Sequence, residues 1–186
     1  MPQLKVHKTA ILGLEVIERQ RVCDQRGSLT RLFCANELAA AGWQKLVAQV
    51  NQTLTHRKGT LRGLHFQHPP HAEMKLVSCL RGSVWDVAVD LRAGSPTIFQ
   101  WHAEVLSEDN GRALLIPEGF AHGFQAISDD CELLYLHSVE YAPNAEAGLN
   151  AKDPKLSIQW PLPVAEISAR DEQHPMLDKF FRGLVL

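Results

Sequence analysis

The 186-residue sequence lacks the features that mark several large functional classes. No apolar run approaches the roughly 18 residues that a membrane-spanning helix needs, and the first residues form no continuous apolar stretch of the signal-peptide type. Lys and Arg number 19 against 21 for Asp and Glu, so the basic excess typical of nucleic-acid binders is missing. We therefore expect a cytoplasmic protein that binds neither membranes nor nucleic acids.

Glycine-rich phosphate loops and closely spaced cysteines are also absent from the sequence. Without a dinucleotide-binding or Walker-type glycine pattern, a Rossmann or P-loop nucleotide site is not expected. The four cysteines include no Cys-x-x-Cys pair, so the simplest prediction for them is free, buried thiols. No repeat, low-complexity tract or Gly/Ser linker interrupts the chain, and its length predicts one domain over residues 1–186.

What the sequence does contain is a series of short strand-like segments separated by turn residues. The clearest, Val84–Asp90, alternates so that Trp85, Val87 and Val89 form a strongly apolar face. Many short strands with regular turns predict an all-β sandwich or barrel rather than alternating βαβ units. Further strands are predicted at residues 10–16, 45–50, 75–80, 98–106, 113–116 and 133–138.

Helices are expected only as a few short peripheral elements. Residues 37–41 are predicted to be helical because Asn36 supplies an N-cap and Gly42 a terminator. A second short helix is predicted near residues 175–181. The predicted fold class is therefore all-β.

Two stretches of the chain are rich in polar residues that a β-domain without a functional site would not need. Residues 58–75 hold three histidines, two lysines and one arginine. Residues 116–124 read Ile-Pro-Glu-Gly-Phe-Ala-His-Gly-Phe and place His122 just after a predicted strand and turn. The two tyrosines of the chain, Tyr135 and Tyr141, lie six residues apart. Residues of these types are the ones that carry proton transfer and anion binding.

These stretches resemble the motifs of a known family. The pattern Pro117-x-Gly119-x-x-His122 is similar to the second motif of the cupin superfamily. Residues 59–67, Gly-Thr-Leu-Arg-Gly-Leu-His-Phe-Gln, resemble the more specific signature of the dTDP-4-dehydrorhamnose 3,5-epimerase family. The resemblance covers almost the whole chain, because further matches occur at residues 24–27, 75–77, 81–92, 116–124, 153–154 and 168–171.

The resemblance implies a fold and a reaction. The fold is a cupin-type jelly roll (a double-stranded β-helix), usually a homodimer. The reaction inverts C3 and C5 of a nucleotide-linked 4-keto-6-deoxy sugar, converting dTDP-4-dehydro-6-deoxy-D-glucose to dTDP-4-dehydro-L-rhamnose through enolates, with no metal or organic cofactor. Both carbons flank the C4 ketone, so the chemistry needs a base, an acid on the opposite face, and a cation near the ketone oxygen.

The same resemblance assigns roles to individual side chains. His65 corresponds to the base, and Asp171 to the carboxylate that orients its imidazole. Tyr135 corresponds to the acid, and Lys75 to the cation beside the developing oxyanion. The positions expected to bind the substrate are Arg26, Gln49, Asn51, Arg62, His122, Tyr141, Glu146 and Arg170.

Two departures from the family pattern concern the substrate. Arg31 stands where a substrate-contacting glutamate is common in the family. Residues 51–58 read Asn-Gln-Thr-Leu-Thr-His-Arg-Lys instead of the commoner Asn-His-Ser-x-Ser form. A CDP- or GDP-linked sugar, or inversion at only one carbon, therefore remains an alternative.

Two further classes are alternatives to a metal-free epimerase. A metal-dependent cupin needs His-x-His in its first motif, but the second residue after His65 is Gln67, and Glu73 is displaced from the expected place. His65 and His122 alone would fall short of the three protein ligands of a typical site. A non-catalytic sugar-binding cupin would need no acid and base.

Overall fold

Two β-sheets carry the structure, a computed structural model that describes residues 3–186. In spatial order, sheet 1 contains β1 (Leu4–Lys8), β2 (Glu15–Arg19), β10 (Arg112–Ile116), β7 (Lys75–Arg81), β12 (Cys131–His137) and β5 (Gln49–Thr55). Sheet 2 contains β13 (Glu146–Gly148), β6 (Thr60–Gln67), β11 (Phe120–Ala126), β8 (Ser83–Asp90) and β9 (Trp101–Ser107), with β14 (Glu166–Ile167) parallel to β6. The remaining elements are the hairpin of β3 (Arg21–Asp24) and β4 (Gly27–Thr30) and the helices α1 (Ala35–Ala39) and α2 (Ala169–Glu172).

The chain passes back and forth between the sheets. β5, β7, β10 and β12 lie in sheet 1, whereas β6, β8, β11 and β13 lie in sheet 2. Neighbours within each sheet are antiparallel apart from β14, as expected for a jelly roll. The all-β jelly-roll prediction is confirmed. Neither helix in residues 3–186 has the length and apolar character needed to cross a membrane.

Apolar side chains from both sheets meet in an inner core. Val77 and Leu133 of sheet 1 pack with Phe120 and Phe124 of sheet 2. The fully buried Val77 and Leu133 side chains each contribute about 1.5–3 kcal/mol by leaving water. Tyr135 belongs to the same cluster. The inner core thereby fixes the distance between the sheets, and with it the positions of the polar side chains on the facing strands.

Strand β8 is buried on both faces. The apolar face predicted from sequence, with Val87 and Val89, lies on the outer side of sheet 2 under the C-terminal segment 149–184. Val84 and Ala88 belong to the inner core instead. The alternating pattern of residues 84–90 predicted the strand correctly, but one face lies in the inner core and the other is covered by the C-terminal segment.

Both predicted helices need correction. The first helix spans Ala35–Ala39, so Asn36 lies inside it and Cys34 is the N-cap residue. Gly42 does follow its end, with a φ of +99°. No helix forms over residues 175–181; the second helix is Ala169–Glu172, because the Ser168 side chain accepts the backbone N–H at residue 171 and caps it.

Several predicted strand boundaries and one cysteine prediction were wrong. Residues 10–13 form turns, since Thr9 Oγ1 bonds the backbone of Ile11 and Leu14, and β2 starts at Glu15. β5 and β9 begin later than predicted, and β6 and β11 were not predicted as strands. All four cysteines are free, but only Cys79 and Cys131 are buried, because Cys23 is exposed on the hairpin and Cys34 is half-buried.

Candidate active site

A cavity of about 570 Å³ lies between the two sheets, lined by side chains from both of them and from the loops that follow. Of the twelve site residues named from sequence, only Arg26 lies outside it. The others line the cavity: Gln49, Asn51, Arg62, His65, Lys75, His122, Tyr135, Tyr141, Glu146, Arg170 and Asp171.

His65 and Asp171 are in direct contact on the sheet 2 side of the cavity. The His65 Nε2 on β6 lies 2.8 Å from Oδ1 of Asp171 on α2. The other carboxylate oxygen accepts the Gly63 N–H at 2.9 Å. Burial alone would raise the pKa of Asp171, but the hydrogen bonds from His65 and Gly63 lower this pKa to about 2. The ionised carboxylate requires a donor, so Nε2 carries the proton and Nδ1 keeps a free lone pair.

Gly63 lets this arrangement form. Its φ is +106°, and a Cβ here would come within 2.6 Å of the Gly123 Cα and the His122 carbonyl oxygen. Any side chain would therefore push β6 away from β11. The close approach of the two strands aligns the Gly63 N–H with Asp171 and sets His65 opposite His122 in the strand register.

Tyr135 comes from the opposite sheet. On β12 it lies between Val77 of β7 and Asn51 of β5. Burial, followed by the negative charge of Asp86, raises the pKa of Tyr135 far above its ordinary value, so the phenol holds its proton at neutral pH. Its ring is in edge contact with His122 of sheet 2, with centroids 6.0 Å apart.

His122 lies between these two groups. Its Nε2 is 2.9 and 3.0 Å from the carboxylate oxygens of the fully buried Asp86. It pairs in register with His65 and touches Tyr135. The sequence predicted His122 in the site, but its carboxylate partner on β8 was missed.

Lys75 is part of a charge network that sequence reasoning also missed. Its Nζ lies 2.9 Å from Oε1 of Glu73, whose Oε2 is 3.1 Å from Nδ1 of His137. Burial would raise the pKa of Glu73, but the His137 hydrogen bond and the Lys75 charge lower it overall. The two-residue spacings of Glu73 with Lys75 and of Tyr135 with His137 could have indicated this network, because alternate residues of an extended segment point to the same side.

A second network spans the edge of the cavity. The Tyr141 hydroxyl donates to Glu146 at 2.7 Å, and Arg170 donates to the same carboxylate at 2.7 and 3.1 Å. The Tyr141 N–H, in the loop between β12 and β13, donates to the Gln49 side chain at the start of β5. Arg62 donates to the Thr55 hydroxyl from the facing strand. These residues hold one another in place around the entrance.

Arg26 lies elsewhere. It follows β3 in the turn of the exposed β3–β4 hairpin, with its side chain 90% exposed and paired with Asp24. Arg26 is therefore not among the described residues (3–186) that line the cavity.

A family model described as dTDP-4-dehydrorhamnose 3,5-epimerase matches residues 8–179 of the chain. The chain belongs to the dTDP-4-dehydrorhamnose 3,5-epimerase family. The expectation of an isomerase of this family is confirmed, and so is its cupin-type jelly roll, which solved structures of the family share with this chain.

Individual members of this family are similar over nearly their full length. The dTDP-4-dehydrorhamnose 3,5-epimerase of Salmonella typhimurium is 39% identical over 175 residues, covering 94% of this chain and 96% of the relative. A dTDP-4-dehydrorhamnose 3-epimerase of Streptomyces niveus is 38% identical over 175 residues, covering 94% and 84%. The crystal structure of a Legionella pneumophila dTDP-6-deoxy-D-glucose-3,5-epimerase with dTDP-4-keto-L-rhamnose has a TM-score of 0.88 at 38% identity, covering 93% and 92%.

Proposed function

We propose that this epimerase-family protein inverts C3 and C5 of dTDP-4-dehydro-6-deoxy-D-glucose by proton transfer between opposite faces of the sugar. One observation carries the proposal. His65, held by Asp171, belongs to sheet 2, while the protonated Tyr135 belongs to sheet 1, and both line one cavity. A sugar ring bound between the sheets has the base on one face and the acid on the other.

His65 is the base in this proposal. Its Nε2–H is committed to Asp171, so Nδ1 accepts the C3 or C5 proton. The imidazolium that forms lies against an ionised carboxylate whose low pKa keeps it from taking the proton itself. The positive charge that catalysis creates on His65 is thereby stabilised where it arises.

Tyr135 is the acid. A buried phenol with a raised pKa stays protonated until it delivers its proton to the far face of the enolate. The enolate oxygen needs a cation, and Lys75 on the neighbouring strand β7 supplies one. Glu73 holds the ammonium in place and balances its charge in the free enzyme.

The remaining lining residues position the nucleotide sugar. Arg62 and Arg170 place guanidinium groups that suit diphosphate oxygens. Half-exposed Tyr141 offers an aromatic face to a nucleotide base. Gln49 and Asn51 present amides from edge strand β5, which suits sugar or diphosphate oxygens.

We further propose that the protein works as a homodimer in the cytoplasm and that Arg26 acts in the partner's site. Arg26 is assigned to the substrate by the family pattern but lies away from the cavity of its own chain. The hairpin that carries it is exposed along both strands. Edge strand β5, beside the cavity, exposes Val50 and Leu54. Four unpaired cysteines suit a reducing compartment.

Inversion at C3 alone is the second candidate, favoured by the Streptomyces niveus 3-epimerase, which is as similar as the 3,5-epimerases. The deciding experiment incubates the protein with dTDP-4-dehydro-6-deoxy-D-glucose in heavy water and follows C3 and C5 by NMR. Deuterium with inversion at both carbons supports the main proposal, and label at C3 alone supports the second candidate. Absence of label with this substrate and with its CDP and GDP counterparts contradicts both.

A further inference from the structure

His174 is a histidine beside the reaction centre that the proposed mechanism does not use. It follows α2, and its ring centroid lies 5.5 Å from that of His65 in an edge-on arrangement. Its Nε2 is buried and has no hydrogen-bond partner among residues 3–186. A Cβ on Gly148 would lie 2.4 Å from this nitrogen, so the glycine leaves the space that the ring fills. An unpaired buried imidazole nitrogen is costly unless a ligand uses it.

The unpaired nitrogen points toward two other ligand atoms. His174 Nε2 is 3.8 Å from Oδ1 of Asp171, which is 2.8 Å from His65 Nε2. The three atoms lie within 4.8 Å of one another. Metal–ligand bonds of 2.0–2.1 Å place the ligands of a tetrahedral zinc ion about 3.3 Å apart. The two contacts to Asp171 would each change by about 0.5 Å, and the two imidazole nitrogens would approach by at most about 1.5 Å, to reach that geometry, with the fourth position on the cavity side.

We propose that His65, Asp171 and His174 form a binding site for a zinc-type divalent cation, and that this cation inhibits the enzyme. Two nitrogen ligands and one carboxylate suit zinc among the common divalent ions, whereas magnesium and calcium prefer oxygen ligands. The nearest positive charge is Arg170, whose Nη2 lies 3.4 Å from His65 Nε2 and whose Nε lies 3.8 Å from Oδ1 of Asp171. Both of its terminal nitrogens already bind Glu146, so its charge is matched there.

Inhibition follows from the tautomers of His65. In the metal-free protein the proton is on Nε2 and the lone pair is on Nδ1. A cation bound at Nε2 takes the lone pair of that nitrogen, so the imidazole proton moves to Nδ1 with no net gain or loss. Nδ1 is then a donor and cannot accept a proton from the sugar. This consequence rests on the proposed role of His65, whereas binding of the cation does not.

Binding is tested on the metal-stripped protein by calorimetric titration with Zn²⁺ and by the visible absorption of added Co²⁺, which is intense in tetrahedral sites. The wild type is expected to bind one equivalent. His174→Ala, or the larger His174→Gln if the first variant unfolds early, is expected to bind at least tenfold more weakly. His71→Ala, an exposed loop histidine, is the control and retains wild-type affinity. Equal affinities in wild type and both His174 variants would overturn the site.

Inhibition is tested separately on the substrate. Zn²⁺ is expected to stop deuterium exchange by the wild type, a chelator to restore it, and His174→Ala to exchange in its presence. Exchange by the wild type that persists with Zn²⁺ bound would refute the inhibition. A wild type that binds Zn²⁺ through His174 but never exchanges the substrate would contradict the proposed function and leave the cation site standing.

Discussion

Asp171 Oδ1 lies 2.8 Å from Nε2 of His65, although 106 residues separate them in the chain. The contact exists because α2 places Asp171 against β6, where the Gly63 N–H binds the second carboxylate oxygen. The Asp171 carboxylate thus bonds both to the His65 side chain and to the backbone of β6, the strand that carries His65. This double attachment makes Asp171 the most informative residue to change.

Asp171→Asn is expected to lower turnover by about two to four orders of magnitude, the upper end being the loss in a serine-protease triad. The amide oxygen still accepts the Gly63 N–H, but its NH₂ then faces His65 and demands a lone pair on Nε2. The imidazole proton moves to Nδ1, where a base is needed. Steady-state kinetics measure the loss, and circular dichroism checks folding. Glu172→Gln, an exposed neighbour, is the control and retains activity. Near-normal turnover by Asp171→Asn would contradict the dyad.

Tyr135→Phe separates proton removal from proton delivery. His65 can still form the enolate, but it returns the hydrogen from the same face. We expect deuterium exchange to continue while inversion falls by at least about a hundredfold. NMR of the substrate in heavy water reports both rates. His65→Ala is the matched control and loses exchange and inversion together. Inversion at the parental rate in Tyr135→Phe would assign the acid to another residue.

Acid should weaken the fold through Asp171. Its pKa is about 2 when folded and about 3.8 when unfolded, so its folded-state pKa is depressed. Its contribution, on the order of 2 kcal/mol, is therefore present above pH 4 and is lost as the pH falls toward 2. Urea unfolding at several pH values should show that the difference in unfolding free energy between wild type and Asp171→Asn becomes smaller as the pH falls from 4 to 2. A gap independent of pH would contradict the assigned pKa.

Arg26→Ala tests the partner's contribution to the site. Because its side chain is largely exposed, the variant should unfold with the wild-type free energy but bind substrate more weakly. Mixing equal amounts of inactive His65→Ala chains and Arg26→Ala chains gives the sharper measurement. If Arg26 acts across a dimer, random exchange yields mixed dimers with one intact site, restoring about a quarter of the wild-type sites. If Arg26 acts in its own chain, mixing restores nothing.

The fold class could be predicted because strands such as Val84–Asp90 alternate clearly. Strands β6 and β11 could not, because β11 is buried along its whole length and β6 mixes polar residues that line the cavity with buried apolar ones, so neither alternates between core and solvent. His65 and His122 were therefore recognised by family resemblance, while their placement on paired strands came only from the structure. Alternation of polar and apolar residues identifies a strand only where one face of the strand lies on the core and the other faces solvent.

The candidate site was predicted in its main residues but not in their partners. Asp86 contacts His122 from 36 residues away in the chain, whereas Glu73 and His174 lie only two and three residues from their partners Lys75 and Asp171. The Asp86–His122 contact depends on the pairing of β8 with β11, which local periodicity does not reveal. The two-residue spacing of Glu73 and Lys75 was a usable signal, whereas His174 lies just after α2 in a segment with no periodic pattern.

The carboxylate that orients the base belongs to a segment whose strand pairing with the barrel is short. The preceding strand, β14, pairs with β6 through two residues, and α2 has only four residues. Local opening of this segment costs less free energy than separating the two sheets. We therefore expect mild denaturant to open the His65–Asp171 dyad before the two sheets separate.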